Sequence, residues 1–340
     1  MLATLLFINA VPASAQDFAA SSVSILIGFA PGQGNDQPAR PDAATLAANR
    51  MSPDMSYDQT ARFLSRHLGR FLPGEPTVVP RHVPGGAGLT AARRLSRSTA
   101  DGANIALLSS NVIYSSALRL AGAEPAVANF VWLGGVSPDA WGCIQTHASL
   151  GRAKIWAGSL GVGSRADVHA RALRDLSGQP FQISSGYVSR FELVRALENG
   201  EIDAACGWPI TDINRRRADW IDTGRMDIVA MFSRSSQGMA RLTDQPNGVA
   251  AGALRALAAE SELAWPLAAP PGTPDKIAAS LAAALERMAY DRAAVEDAAR
   301  AGVVLDPVPA EIIRQQVNTL MNLPDATRGA LAKLFAAGGK

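Results

Sequence analysis

The residues able to do chemistry stand directly after predicted strands, and the first of them form a glycine-rich turn. An apolar run that begins at Val23 predicts a short buried strand, which leads into a turn that holds Gly32 and Gly34. Glycine lets the main chain adopt unusual dihedral angles and lets a ligand approach the backbone closely. The free N–H groups of a helix that follows such a turn favour an anion, for example a carboxylate. The turn therefore predicts an anion site built mainly from backbone.

A second corner of the same kind follows the strand predicted at 154–159. Gly161 and Gly163 form its turn, and Ser164 with Asp167 forms a capping pair for the next helix. The glycine spacing does not fit a dinucleotide fingerprint. A single glycine-rich turn is more often a plain tight turn than a site. Two such corners in one chain favour a binding site to which both contribute.

The other predicted strand ends carry side chains that bind but do not transfer protons. Ser110 and Asn111 follow the third strand, and Tyr187 and Trp208 follow two later strands. Hydroxyl, amide and aromatic groups form hydrogen bonds and stack, whereas acid–base catalysis at neutral pH needs titratable groups. The sequence has no nucleophile elbow, no phosphate-binding loop and no His-Glu-x-x-His motif. This pattern predicts recognition without reaction, so we expect no enzyme, no cofactor and no metal.

Histidine and cysteine usage is consistent with that expectation. The four histidines lack metal-ligand spacing and are expected to be packing or surface residues: His67, His82, His147 and His169. Cys143 and Cys206 fit neither a metal site nor a disulfide-dense scaffold. In an oxidising compartment they form a disulfide, and otherwise they are two small buried hydrophobic residues. The sequence leaves both alternatives open.

Length, charge and hydropathy limit the classes to which this protein can belong. A chain of 340 residues suits two domains better than one core. Its net charge of +2 predicts no nucleic-acid surface, and no apolar run reaches the roughly 20 residues of a membrane-spanning helix. Residues 1–11 are apolar, and the small residues after them predict a signal peptide cleaved after Ala15. A buried N-terminal strand or helix is the alternative interpretation.

The order of predicted elements indicates the fold class. Strands alternate with helices along most of the sequence, which is typical of parallel sheets covered by helices on both faces. Such sheets bind ligands at the carboxyl ends of their strands. We therefore expect the glycine-rich turns and the polar strand ends to lie on one side of each sheet.

Six motifs, in the same order, resemble those of the solute-binding receptors of tripartite tricarboxylate transporters, also called Bug proteins. They are Phe-Ala-Pro-Gly-Gln-Gly at 29–34, Tyr-Asp-Gln-Thr-Ala-Arg at 57–62, Val-Pro-Gly-Gly-Ala-Gly at 83–88, Asp-Gly with the strand after it at 101–108, Leu-Glu-Asn-Gly-Glu-Ile-Asp at 197–203, and Ala-Ala-Pro-Pro-Gly-Thr-Pro at 268–274. The resemblance extends over nearly all of the sequence after the predicted signal peptide.

The resemblance implies the type II periplasmic binding protein fold. In this α/β fold each of two domains is a mostly parallel sheet flanked by helices, and the hinge between them is crossed twice. The division that it implies is a signal peptide at 1–15, a first domain of 16–129 plus 236–340 with an insertion at 37–55, and a second domain of 130–235.

The resemblance also implies a function. Such a receptor captures a small organic di- or tricarboxylate in the cleft between its domains and delivers it to integral-membrane transporter subunits. We expect a periplasmic monomer without a cofactor. The ligand-binding positions that carry over are Phe29, Pro31, Gly32, Gly34, Tyr57, Asp58, Ser110, Asn111, Ser159, Gly161, Gly163, Ser164, Tyr187 and Trp208.

Three features depart from the family pattern. The insertion at 37–55 separates the first turn from the first helix, where it covers the cleft, displaces the helix or hangs free. The stretch 146–154 is too short for a helix that relatives often have there. Arg165 stands where the family commonly has proline; it could pair with a second carboxylate, but a solvated surface role is the expectation.

Three other functions remain open from the sequence. The same cleft would serve a sensing subunit that closes on its solute and docks on a signalling protein. A hydrolase that uses Ser110 or Ser164 is a further alternative. The last is a degenerate relative in which the insertion has abolished binding.

Overall fold

The computed structural model describes seven parts of the chain. The described residues are 20–31, 57–120, 127–138, 140–187, 190–233, 248–263 and 265–336. The predicted signal peptide and the insertion at 37–55 lie outside these ranges, as do Gly32 and Gly34 of the first turn.

The described residues form ten strands in two five-stranded sheets. In chain order the strands are β1 (Ser22–Ile27), β2 (Thr77–His82), β3 (Asn104–Leu107), β4 (Val131–Gly135), β5 (Trp141–Thr146), β6 (Ile155–Ser159), β7 (Phe181–Ser185), β8 (Ala204–Pro209), β9 (Met226–Phe232) and β10 (Pro266–Ala269). The first sheet has the order β2-β1-β3-β10-β4, and the second has the order β7-β6-β8-β5-β9.

Strand direction confirms the predicted α/β architecture. In the first sheet β10 is antiparallel to both of its neighbours, and in the second sheet β5 is antiparallel to both of its neighbours. The remaining neighbours pair in parallel. Four of the five strands in each sheet therefore point the same way, so each sheet is mixed but mostly parallel.

Helices flank both sheets. In chain order they are α1 (Tyr57–His67), α2 (Leu89–Ser96), α3 (Ser110–Ala117), α4 (Arg165–Ser177), α5 (Arg190–Glu198), α6 (Ile210–Arg216), α7 (Ala218–Asp222), α8 (Val249–Ala258), α9 (Asp275–Ala289), α10 (Arg292–Ala301), α11 (Ala310–Met321) and α12 (Asp325–Phe335). Among the described residues, no helix combines the length and the apolar character needed to cross a bilayer.

Local sequence explains the elements that lead to the strand ends. In β1, Val23, Ile25 and Leu26 are fully buried, as expected for a strand covered on both faces. Helix α4 begins at a cap in which the Ser164 hydroxyl accepts a hydrogen bond from the backbone N–H of Asp167 at 3.3 Å. It ends at Gly178, whose φ of +70° is left-handed.

The chain crosses between the sheets later than predicted. The predicted second domain begins at residue 130, whereas β4 pairs with β10 in the first sheet. The crossing therefore lies between Gly135 and Trp141, and a second crossing follows β9. The apolar sequence of β4 does not indicate the sheet to which it belongs, because both sheets contain strands of this kind. Between β5 and β6 the chain forms a short 3-10 turn, His147–Ser149, so the helix that relatives often have there is absent from this described stretch.

Helix α4 joins the two halves of the molecule. It packs on β6, β7 and β8 of its own sheet and also contacts α8 and α12. Its Val168 and Leu173 share one buried cluster with Leu254 and Leu257 of α8 and Leu331 of α12. The first residue of α4 is thereby held against the segment that leads back into the first sheet.

Cys143 and Cys206 form a disulfide. They lie opposite each other on the paired strands β5 and β8, and both are buried. The structure thus resolves the two alternatives left open by the sequence. The bond ties two central strands of the second sheet across a sequence separation of 63 residues.

We expect the double substitution Cys143→Ala with Cys206→Ala to lower the free energy of unfolding by roughly 2–4 kcal/mol, because an uncrosslinked chain gains loop entropy when it unfolds. Urea denaturation without reductant measures the change. Reductant should destabilise the wild-type protein similarly and leave the double variant unaffected. A double variant as stable as the oxidised wild type would contradict this role for the bond.

Candidate functional site

Two residues that follow strands of different sheets both contact the carboxylate of Glu260. Ser110 is the first residue of α3, after β3, and Arg165 is the first residue of α4, after the second glycine-rich turn. Glu260 lies in the 3-10 turn Ala259–Ser261 that follows α8. The Ser110 hydroxyl donates to Glu260 Oε1 at 2.6 Å, and Arg165 donates to the same oxygen from Nη2 at 2.6 Å and from Nε at 2.9 Å. We call Ser110, Arg165, His169 and Glu260 the interdomain carboxylate site.

The second carboxylate oxygen faces a histidine on the same helix as the arginine. His169 Nε2 lies 3.4 Å from Glu260 Oε2, and His169 stands one helical turn after Arg165. Spacing of four residues brings both side chains to one face of α4. Two cationic or hydrogen-bonding groups of the second domain therefore point at one carboxylate on the segment leading back to the first sheet.

Aromatic rings of the second sheet support both basic side chains. The Arg165 guanidinium lies over the Trp141 ring at 3.6 Å from its centroid. The His169 ring stacks on Phe232 with centroids 3.9 Å apart. Trp141 and Phe232 are themselves paired across β5 and β9. Because these rings are fixed by the sheet, the guanidinium and the imidazole are held in place for the carboxylate.

The interdomain carboxylate site is almost closed to solvent. The side chains of Arg165, Glu260 and His169 are exposed by 9%, 7% and 1%. Burial by itself would raise the pKa of Glu260, but Arg165 and His169 together hold that pKa well below its ordinary value. A buried ion pair is maintained only where hydrogen bonds satisfy its charges, and Ser110 contributes one of them.

Tyr114 lies beside this site, on the side of the first domain. It lies one turn after Ser110 on α3, and its hydroxyl donates to the carbonyl of Ala256 at 2.7 Å. Burial raises the pKa of Tyr114 well above its ordinary value, and the nearby Glu260 carboxylate raises it further. The phenol is therefore a fixed hydrogen-bond donor that helps to anchor α8 to α3.

The expectation of a solvated role for Arg165 is wrong. Its guanidinium is buried and paired, because α4 begins between the two sheets rather than at the surface. The expectation of a plain packing role for His169 omits its second contact, since the buried ring packs on Phe232 and also faces Glu260. Sequence reasoning missed Glu260 altogether.

The first predicted group of ligand-binding residues lies after β1 and in the first turn of α1. Phe29 stacks on Tyr57 at 4.7 Å between centroids, and Tyr57 packs on Trp265 at 4.5 Å. Asp58 contacts Arg62 at 2.9 Å and His82 at 3.1 Å. Pro31 is exposed at the edge of the described residues, and the two glycines predicted beyond it lie outside them.

The second predicted group forms a compact turn at the start of α4. The buried Ser159 hydroxyl accepts a hydrogen bond from the N–H of Gly161 at 3.1 Å. The N–H of Gly163 donates to Asp167 Oδ2 at 3.0 Å, while Ser164 caps the helix. Gly161 has a φ of +117°, and a Cβ added there would meet no described atom within 4 Å. The turn therefore borders open space at Gly161, four residues before Arg165.

The remaining predicted residues are distributed over both domains. Asn111 is half-buried beside Ser110 at the start of α3. Tyr187 is half-buried near Gly158 on β6. Trp208 is 3% exposed and packs 6.3 Å from Trp220 in the core of the second domain. Of the predicted residues, Ser110 lies in the interdomain carboxylate site itself, and the 159–164 turn lies next to it.

The donor set of this site suits an anion rather than a metal. Within the described ranges, no group of three or more His, Cys, Asp or Glu residues is arranged to hold a metal ion. Ser110 donates its proton to a carboxylate whose pKa Arg165 and His169 lower, so Glu260 is a poorer base toward the hydroxyl than an ordinary carboxylate. Arginine, serine and a second nitrogen donor on one carboxylate form a carboxylate-binding arrangement.

We expect Glu260→Gln to lower the free energy of unfolding by about 3–5 kcal/mol at pH 7, because Arg165 is left buried without its partner charge. The folded-state pKa of Glu260 is depressed, so its contribution is complete above the ordinary pKa of 4.5 and is lost as the pH falls below it. The difference between wild type and variant should therefore shrink on acidification.

Urea denaturation of both proteins between pH 7 and pH 3 measures this difference. Glu286→Gln, at an exposed position of α9, makes the same change of charge as a control and should remain close to wild type throughout. A difference for Glu260→Gln that is constant over this pH range would contradict the assignment of a depressed pKa.

Comparisons with known proteins bear on the fold. No family model matches the chain, and no curated protein matches its sequence. A TctC solute binding protein from Polaromonas is 14% identical with a TM-score of 0.64, and the match covers 92% of this chain and 98% of that one. The periplasmic binding protein BugD is 16% identical with a TM-score of 0.53, covering 92% and 97%.

A third solved structure carries a ligand. MatC from Rhodopseudomonas palustris, with bound malate, is 14% identical with a TM-score of 0.53, and the match covers 93% of this chain and 99% of that one. Likeness at this level of identity establishes architecture. The chain therefore has the two-domain fold of the TctC- and Bug-type solute-binding proteins, as its sequence motifs predicted.

Proposed function

We propose that this protein is a periplasmic solute-binding receptor that captures a small organic di- or tricarboxylate between its two domains. The observation that carries the proposal is the meeting of Ser110 and Arg165, from the ends of strands in different sheets, on one carboxylate. The Ser110 hydroxyl and the Arg165 guanidinium already bind a carboxylate, so they are the donors that an organic acid would need.

Arg165 is the cationic anchor of the proposed site. Its guanidinium is held over Trp141, so little side-chain freedom is lost when a carboxylate binds. Ser110 and Asn111 at the start of α3 supply a hydroxyl and an amide from the first domain. The N-terminal end of α3 also favours an anion through its free N–H groups.

The second carboxylate of the solute would bind at the 159–164 turn. Gly161 leaves open space there, and Ser159 and Ser164 fix the conformation of the turn. We propose backbone N–H groups and ordered water as the remaining contacts, which suits acids of several shapes. The fold shared with malate-bound MatC supports this ligand class.

The proposed role is transport rather than catalysis. The receptor would be exported by the segment at 1–15, act as a monomer without a cofactor, and dock transiently on integral-membrane transporter subunits. Ser110 and Ser164 both serve structural hydrogen bonds, so neither is poised as the nucleophile of a hydrolase. The solute would be held between the two domains while the receptor docks on the transporter.

We expect one or a few acids from a panel of malate, succinate, adipate and citrate to raise the melting temperature of the protein. A ligand at about a hundred times its Kd adds roughly 2.7 kcal/mol, which is several degrees for a protein of this size. Thermal unfolding, followed by titration calorimetry of the acid that responds, measures the effect.

Arg165→Lys should weaken binding of that acid by about tenfold or more, because lysine keeps the charge but loses the planar fork of donors. Arg174→Ala is the control on the same helix, where Arg174 pairs at the surface with Asp175. A folded wild-type protein whose melting temperature no acid changes would contradict the proposed ligand class.

A further inference from the structure

We infer that Glu260 is an internal ligand, which occupies the carboxylate position at Arg165 until the solute displaces it. The inference rests on the proposed function and deepens it, because it defines what a solute must replace in order to bind. It also predicts which acids the receptor rejects.

The contacts of Glu260 are those that a bound organic acid would need. One oxygen accepts from the Ser110 hydroxyl and twice from the Arg165 guanidinium, and the other faces His169 at 3.4 Å. These donors come from both domains, so the Glu260 carboxylate joins them as a solute in the cleft would. A carboxylate of the chain therefore fills the site for a carboxylate of the solute.

The position of Glu260 in the chain permits an exchange. It stands on the 3-10 turn Ala259–Ser261, where the backbone hydrogen bonds are poorer than in an α-helix. The side chain has three rotatable bonds, so rotation alone can remove the carboxylate from Arg165. The backbone at Gly161, four residues before Arg165, borders open space.

The exchange discriminates between acids by the number of their carboxylates. When a monocarboxylate such as acetate replaces Glu260, one ion pair is exchanged for another and nothing further is gained. Acetate must also compete with a tethered group, whose effective concentration is in the millimolar range or above. A dicarboxylate forms the same contact at Arg165 and adds a second contact at the 159–164 turn. The internal ligand thus selects for di- and tricarboxylates.

Removal of the internal carboxylate tests the inference. In Glu260→Ala, Arg165 and Ser110 lose their partner, and acetate has the size and charge of the group that is missing. We expect 10 mM acetate or formate to raise the melting temperature of Glu260→Ala by several degrees and that of the wild type by less than one degree. The Kd for malate should fall at least tenfold in the variant, measured by titration calorimetry at pH 7.

Two controls separate this effect from a general change of charge. Glu262→Ala removes the same charge two residues away and should respond to acetate as the wild type does. Adding Arg165→Ala to Glu260→Ala should abolish the response to acetate. If Glu260→Ala is too unstable to study, Glu260→Gln keeps the shape of the side chain, and its affinity for malate should still rise several-fold.

The outcomes distinguish this inference from the proposed function. If malate binds the wild type, and Glu260→Ala neither responds to acetate nor binds malate more tightly, the receptor function stands and the internal ligand is refuted. If no acid of the panel binds the wild type or the variant, while acetate stabilises Glu260→Ala through Arg165, Glu260 fills a carboxylate position that no solute enters, and the receptor function and the inference are both refuted. An acetate response that persists without Arg165 would overturn the inference.

Discussion

The buried ion pair between Arg165 and Glu260 is the interaction on which the arrangement of the two domains depends. Its partners come from different parts of the molecule. Arg165 begins the helix α4, which packs on the second sheet, and Glu260 lies in the segment that re-enters the first sheet. Two buried charges are stable only together, so the pair fixes how the start of α4 faces the start of α3. The Trp141 and Phe232 rings then hold Arg165 and His169 in one orientation.

The rest of the fold can be understood as support for this contact. Helix α4 packs on its own sheet and also against α8 and α12, so the arginine at its first position cannot move away from the first domain without disturbing a shared hydrophobic cluster. The disulfide between Cys143 and Cys206 stiffens the strands beneath Trp141. The proposed receptor function requires such a rigid frame, because affinity is lost when binding groups must first be ordered.

The architecture and part of the candidate site can be predicted from the sequence, and the physical reasons differ between the two. Alternating strands and capped helices specify mixed α/β sheets, and Ser110 and the 159–164 turn, which follow strands, mark the side of the sheets on which the proposed site lies. Arg165 and His169 stand four residues apart but were not predicted as a pair, and their burial depends on where α4 docks. Glu260 carries no local signal, because only tertiary packing brings its alanine-rich segment to Arg165. The sheet to which β4 belongs is undetermined for the same reason.

The most direct test of the central claim is a crystal structure of the wild-type protein grown with malate. The account predicts one malate carboxylate within hydrogen-bond distance of the Arg165 guanidinium and the Ser110 hydroxyl, with the Glu260 side chain rotated away and the second malate carboxylate at the 159–164 turn. A structure in which malate is bound while Glu260 still contacts Arg165 as in the free protein would contradict it, because the two strand ends would then bind the chain rather than the solute.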